Sequence, residues 1–198
     1  MDKNAMYKIP YGLYVLTARE GEKDNGCIIN TAAQVTSSPN RITVAVNKDN
    51  YTHDMIKNTG VFNVSVLTEG ATFETFQNFG FQSGREADKL AKITFSRAEN
   101  GVVYLTDKVN AVISGKVCRE IDMGTHTIFV ADVTDAKVLS EDESVTYSYY
   151  QKNIKPAPEK KSKGYVCVIC GYIYEGDELP ADFVCPICKH GVSDFKKL

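Results

Sequence analysis

Four cysteines of the 198-residue chain come in two hooks, Cys167-Val168-Ile169-Cys170 and Cys185-Pro186-Ile187-Cys188, with fourteen residues between them. A Cys-x-x-Cys hook turns two thiolates toward one point, and a second hook completes a tetrahedron around a metal ion. Zinc and iron both accept four thiolates, so the hooks alone leave the ion open between the two. The other two cysteines, Cys27 and Cys118, fall in stretches that read as strands. There a thiol in a reducing compartment serves as a small core residue.

A second set of residues suits an anion. Asn30-Thr31, Gln34-Val35-Thr36 and Ser37-Ser38 put amides and hydroxyls along one strand and its exit turn. Asn47-Lys48 and Thr52 add a cation and a helix cap after the next strand. Ser83-Gly84-Arg85-Glu86 has the form of a capping box, with Lys89 one helical turn beyond Arg85. This reads as a helix over 83–93 with two cations at its N-terminus, where backbone donors and the helix dipole favour a phosphate. His126 opens a later strand, in Gly124-Thr125-His126.

These residues need elements to hold them. Apolar alternation and turn residues predict strands over 11–18, 26–36, 41–47, 61–67, 111–121 and 125–139. Short helices are expected over 53–58, 70–79 and 144–152, the first stopped by Gly60. Many strands with few helices, and no regular βαβ alternation, point to a mainly β fold: an antiparallel barrel with short helices packed on it. No Gly-x-Gly-x-x-Gly stands between a strand and a helix, which disfavours a dinucleotide-binding sheet.

The net charge of −2 offers no case for nucleic acid, and no apolar run approaches the roughly 20 residues of a membrane helix. Without an export signal in the opening residues, the expectation is a cytoplasmic protein. Charge is unevenly spread: 152–164 holds five lysines and one glutamate, whereas the stretch from Tyr165 holds three basic and five acidic residues. The expected organisation is a barrel over 1–151, a basic linker over 152–164 and a small metal-binding domain over 165–198.

The run GCIINTAAQVTSSPNRITVAVNKDNYTH, with FGFQSGREADK and GTHTIFVADV later, resembles the flavin reductase-like FMN-binding split barrels over residues 5–150. The resemblance implies that the strand with Asn30, Thr31, Gln34, Val35 and Thr36 lines the flavin ring and ribityl chain. Ser37 and Asn47 belong to the same cofactor set, and Lys48, Thr52, Ser83, Arg85 and Lys89 match the phosphate end. It also implies a homodimer with flavin near the subunit interface, NAD(P)H as reductant, and His126 on the face where nicotinamide approaches. Thr125 stands where that family often has Asp.

Cys170-Gly171-Tyr172-Ile173-Tyr174, the run from Leu179 to Cys188, and Phe195 beyond them resemble rubredoxin. That likeness implies one iron held by Cys167, Cys170, Cys185 and Cys188. The chain departs from the pattern at Lys189, where rubredoxins have Gly, and in a shorter loop between hooks. Barrel and hooks together are similar to the high-molecular-weight rubredoxins of anaerobic bacteria. This implies a path from NAD(P)H through FMN and Fe(Cys)₄ to a flavodiiron protein that reduces nitric oxide or dioxygen. Two other readings use the same residues: a flavin or ferric reductase with a zinc-bearing docking tail, and a pure electron carrier reduced by a separate NADH:rubredoxin oxidoreductase.

Overall fold

Among the described residues, nine strands precede position 156: β1 (Tyr14–Glu20), β2 (Lys23–Ile29), β3 (Ala32–Ser37), β4 (Asn40–Asn47), β5 (Val61–Leu67), β6 (Phe95–Arg97), β7 (Val103–Leu105), β8 (Val109–Asp122) and β9 (His126–Val138). They come from a computed structural model that describes residues 2–156 and 164–198. Seven of them form one antiparallel sheet in the order β2-β1-β5-β8-β9-β4-β3, and β6 pairs with β7 apart from it. β2 and β3 stand at opposite ends of that order, yet only Asn30 and Thr31 separate them in the chain. Such a link spans at most about 10 Å. The sheet must therefore curl until its edges nearly meet, which makes it a barrel split between β2 and β3.

Period-two alternation sorts the core. On β1, Leu16 and Ala18 face one buried cluster with Cys27, Val44, Val46, Met55, Phe62 and Phe129. Val15, with Leu13 just before the strand, faces a second cluster with Leu67, Phe76, Phe79, Val103 and Leu105. β1 is thus covered on both sides. Helix α1 (Tyr51–Thr59) inserts Met55 and Ile56 into the first cluster, and α2 (Phe73–Gly80) inserts Phe76 and Phe79 into the second.

Three expectations change. Residues 83–93 form successive turns, not a helix: Ser83 O accepts from both Glu86 N and Ala87 N, and Asp88 Oδ1 accepts from Leu90 N. Lys89 turns inward and fixes the segment to the core, a tertiary demand that overrides the cap signal. The last helix of the barrel covers only Tyr147–Tyr149 before widening into a π turn over Tyr150–Ile154. Cys27 is buried as expected, but Cys118 is exposed, because the far half of β8 runs past the core.

The chain divides into two units between Ile154 and Lys155, and most of the stretch expected as a linker lies outside the described residues. The second unit has a small antiparallel sheet in the order β11-β10-β12, from β10 (Tyr165–Cys167), β11 (Ile173–Tyr174) and β12 (Phe195–Lys197). Phe183 is its aromatic centre, with ring centroids 4.8 Å from Tyr174, 5.4 Å from Phe195 and 6.4 Å from Tyr172.

Candidate functional sites

The four hook sulfurs all lie within 4.8 Å of one another, with Cys167 3.5 Å from Cys188 and Cys170 3.4 Å from Cys185. A tetrahedral ion with metal–sulfur bonds of about 2.3 Å needs sulfur–sulfur edges of about 3.8 Å, so the site fits one ion. Both hooks are built alike. Gly171 N donates to Cys167 O (2.8 Å) and Cys167 N to Tyr172 O (2.8 Å). In the second hook, Lys189 N donates to Cys185 O (2.9 Å) and Cys185 N to His190 O (2.8 Å). Closing such a knuckle requires a left-handed residue after the second cysteine of each hook: Gly171 has φ +83° and Lys189 has φ +61°. Lys189 adopts the conformation that Gly takes elsewhere, so the departure at this position leaves the knuckle intact.

The backbone amides of Ile169 and Cys170 favour the Cys167 thiolate, that of Tyr172 the Cys170 thiolate and that of His190 the Cys188 thiolate. Burial pushes the Cys167 thiol up to about 11, whereas hydrogen bonds led by Cys188 draw Cys170 down to about 5. Cys188 is pushed upward by its contact with Cys170 and by burial. Sulfurs this close repel one another as thiolates, and a cation among them removes that penalty. Lys155, the first residue of the second unit, completes the surroundings: its Nζ donates to Ile169 O (2.7 Å) and Val168 O (3.3 Å).

On the barrel, the anion-seeking residues fall into two groups. β3 is an edge strand, so Gln34, Val35 and Ser37 are exposed along it. Thr31 Oγ1 donates to Ala45 O (3.2 Å), Gln34 Nε2 to Asn40 Oδ1 (2.8 Å) and Thr36 Oγ1 to Ser38 O (3.5 Å). Because β3 pairs antiparallel with β4, Asn30 and Thr31 lie at the Asn47 end, and Thr36 and Ser37 at the far end. Six residues of strand span about 20 Å, enough for an extended ligand. A cavity of about 370 Å³ opens beside β3, lined by Gln34, Asn40, Ile42, Tyr14, Val66 and neighbouring residues.

The second group gathers at the Asn47 end. Asn47 faces His126 across the β4–β9 ladder, and Asn47 Oδ1 accepts from Asp49 N (2.9 Å). Lys48 N donates to Thr125 O (3.0 Å), while its Nζ pairs with Asp122 at 2.7 Å and holds that carboxyl below its ordinary range. Arg85 reaches the same place from the 83–93 turns. Its Nη2 donates to Asp54 Oδ2 (2.5 Å), its Nη1 to Asp49 O (3.2 Å), and its guanidinium lies 5.0 Å from the Tyr51 ring centroid. Burial lowers the pKa of His126, whose Nδ1 meets Thr125 Oγ1 at 2.9 Å.

Two expected residues face inward instead. Lys89 is buried, and its ammonium donates to Gly26 O and Phe79 O, both at 3.0 Å. Thr52 is fully buried and accepts from Asn25 Nδ2 (3.0 Å). Asn25 in turn packs so close to Gly84 that a Cβ there would sit 2.0 Å from Asn25 Oδ1. Thr52, Asn25 and Lys89 therefore hold α1, β2 and the Ser83–Arg85 turn together. Ser83 supplies its Oγ to Arg85 N (3.2 Å). The sequence reading missed Asp54 and His53. Buried His53 joins Thr127 Oγ1 (2.9 Å) to Asp54 Oδ1 (3.0 Å), and Asp54 holds Arg85. Asp54 and Arg85 lie 31 residues apart, and no local pattern marks that pairing.

Residues 6–158 match the flavin reductase like domain, and residues 165–196 match the rubrerythrin, rubredoxin-like domain. The high molecular weight rubredoxin of Moorella thermoacetica is 38% identical, with all of both chains covered. The ferric-chelate reductase (NAD(P)H) of Archaeoglobus fulgidus is 42% identical over 76% of this chain and 89% of its own. The NADH:FAD oxidoreductase SgcE6 of Streptomyces globisporus shares the fold, with a TM-score of 0.67 at 24% identity over 74% of this chain and 87% of its own. Among the described residues, no helix is long and apolar enough to cross a membrane.

Proposed function

Since this chain belongs to the flavin reductase-like family and carries a rubredoxin-like domain in the arrangement of the high-molecular-weight rubredoxins, we propose that it takes electrons from NAD(P)H at a barrel-bound FMN and passes them singly through an iron held by Cys167, Cys170, Cys185 and Cys188 to an acceptor protein. One observation carries the proposal: a flavin-reductase barrel and a four-thiolate site occur in one chain. Nicotinamide gives two electrons as hydride and a single iron changes by one, and FMN, when bound, supplies the conversion between them.

The chain's own residues divide the work. The exposed edge of β3, with Asn30 and Thr31 just before it, would line the flavin ring and ribityl chain. Arg85, Lys48 and Ser83 would receive the phosphate, with Asp54, Asp49 and Tyr51 holding Arg85 for it, and Asn47 would belong to the cofactor set beside His126. Thr52 and Lys89 act behind them by fixing the backbone. His126 flanks the nicotinamide side. The unpaired edge of β3 and the exposed Val35 support a second copy at this face, giving a homodimer. The acceptor is a flavodiiron protein in a reducing cytoplasm, where the hook thiols stay free of disulfides.

The relation to a ferric-chelate reductase favours a second reading, in which the barrel reduces an acceptor directly. Cys170→Ser separates the two. Under anaerobic conditions NADH should bleach the flavin of wild type and variant equally, while reduction of the acceptor protein is lost in the variant. Equal acceptor reduction by both proteins supports the second reading. Flavin that NADH alone leaves oxidised points to a separate reductase.

A further inference from the structure

We propose that the Lys155 ammonium raises the reduction potential of the four-cysteine centre. Lys155 is half-buried, and its Nζ donates to two carbonyls within the first hook, Ile169 O at 2.7 Å and Val168 O at 3.3 Å. Its Cε lies 3.7 Å from the point where a Cβ on Gly171 would stand, so the stem crosses the left-handed corner of the same knuckle. The charge is thereby fixed beside the thiolates.

Two routes carry its effect. The first is through space. One electron from a one-electron donor turns ferric iron among four thiolates into ferrous iron, with no bond made and no proton moved. The centre becomes one unit more negative, and a fixed cation in a partly dry setting favours that state. The second route runs through peptide bonds. The carbonyl of Val168 shares a peptide unit with the N–H of Ile169, and the carbonyl of Ile169 shares one with the N–H of Cys170. Those two N–H groups lie within the hook that Cys167 and Cys170 close. An ammonium on each carbonyl polarises its peptide and makes the N–H side more positive within the hook, which again favours the more negative state. Both routes act in the same direction, and both start from one side chain.

The inference rests on the iron reading, so the test begins with iron content and the visible spectrum of the wild-type full chain. Absence of ferric–thiolate bands defeats that reading before Lys155 is considered. With iron present, the centre is titrated with dithionite and mediators in wild type and in Lys155→Met, Lys155→Gln and Lys155→Arg. At fixed ambient potential, Met and Gln should lower the ratio of reduced to oxidised iron about three- to tenfold, a shift of roughly 30 to 60 mV for one electron. Arg should keep the wild-type value. Gln retains a donor without the charge, so a shift in Met alone assigns the effect to a hydrogen bond and overturns the proposal. So do iron-loaded Met and Gln variants that titrate like wild type. Loss of iron from both makes Lys155 a requirement of the fold, and that also overturns it.

Discussion

The two knuckles place the same backbone demand on different residues, which yields a test with a built-in control. At Gly171 (φ +83°) a side chain must enter a region that L-residues avoid, and Lys189 (φ +61°) already occupies that region. Gly171→Ala therefore introduces a conformational cost of about 1–2 kcal/mol. Space adds little, since the nearest atom to the new Cβ is the end of the flexible Lys155 stem at 3.7 Å. Lys189→Ala exchanges one L-residue for another and should cost less than about 0.5 kcal/mol. Metal binding and folding of such a small unit are coupled, so the difference appears in apparent metal affinity. In anaerobic competition with a ferrous chelator, Gly171→Ala should bind iron about 5- to 30-fold more weakly than wild type, and Lys189→Ala within about twofold. Equal losses in the two variants would refute the argument, because the backbone conformation after the second cysteine of each hook would then not matter.

Further predictions concern the barrel. Arg85→Ala should strip FMN during dialysis while leaving the melting temperature of the flavin-free protein unchanged. Lys89→Met should do the reverse: it leaves Gly26 O and Phe79 O unpaired, at a cost of about 1–3 kcal/mol, and a Tm drop of roughly 2–10 °C for this chain length. Flavin loss without a Tm change in Lys89→Met would reverse that assignment. Burial holds the His126 pKa below 6.5, so the ring is neutral at pH 7 and gains its proton only as pH falls below that value. Flavin reduction by NADH should therefore stay flat from pH 7 to 8 and change only in acid. The acid step should vanish in His126→Asn; its persistence there would assign it to another group.

Features written locally in the chain were legible. The hooks name their own ligands, strand alternation names the barrel, and the positions of Phe73, Phe76 and Phe79 mark a helix that forms as Phe73–Gly80. Features settled by distant partners were not. Ser83 and Glu86 have the types of a capping box, but Lys89 is drawn into the core by carbonyls on β2 and α2, and turns replace the helix. Thr52 has the look of a surface cap, yet it is buried against Asn25, 27 residues earlier. At Lys189 a residue-type rule gave the wrong emphasis. The knuckle needs a left-handed backbone, which Gly adopts at least cost, and a surrounding fold can impose it on Lys.

The cations proposed for the phosphate show why residue type alone does not tell their surroundings apart. Three of them, Lys48, Arg85 and Lys89, answer to the same description in sequence, as positive charges near a strand exit or turn. An ammonium is a point charge with three donors, and Lys89, once buried on two carbonyls, is committed to the core. Lys48 is more exposed, but the Asp122 carboxylate meets it with two oxygens at 2.7 and 2.8 Å. Arg85 spends one donor on Asp54 and one on Asp49 O, and a guanidinium carries five in a fixed plane. It can be held by the protein and still offer donors to a phosphate, whose approach needs little further ordering of the side chain. Asp54, itself steadied by buried His53, is then as much a part of the proposed anion site as the arginine. It keeps the fork aimed, and it competes for the charge that the phosphate would use.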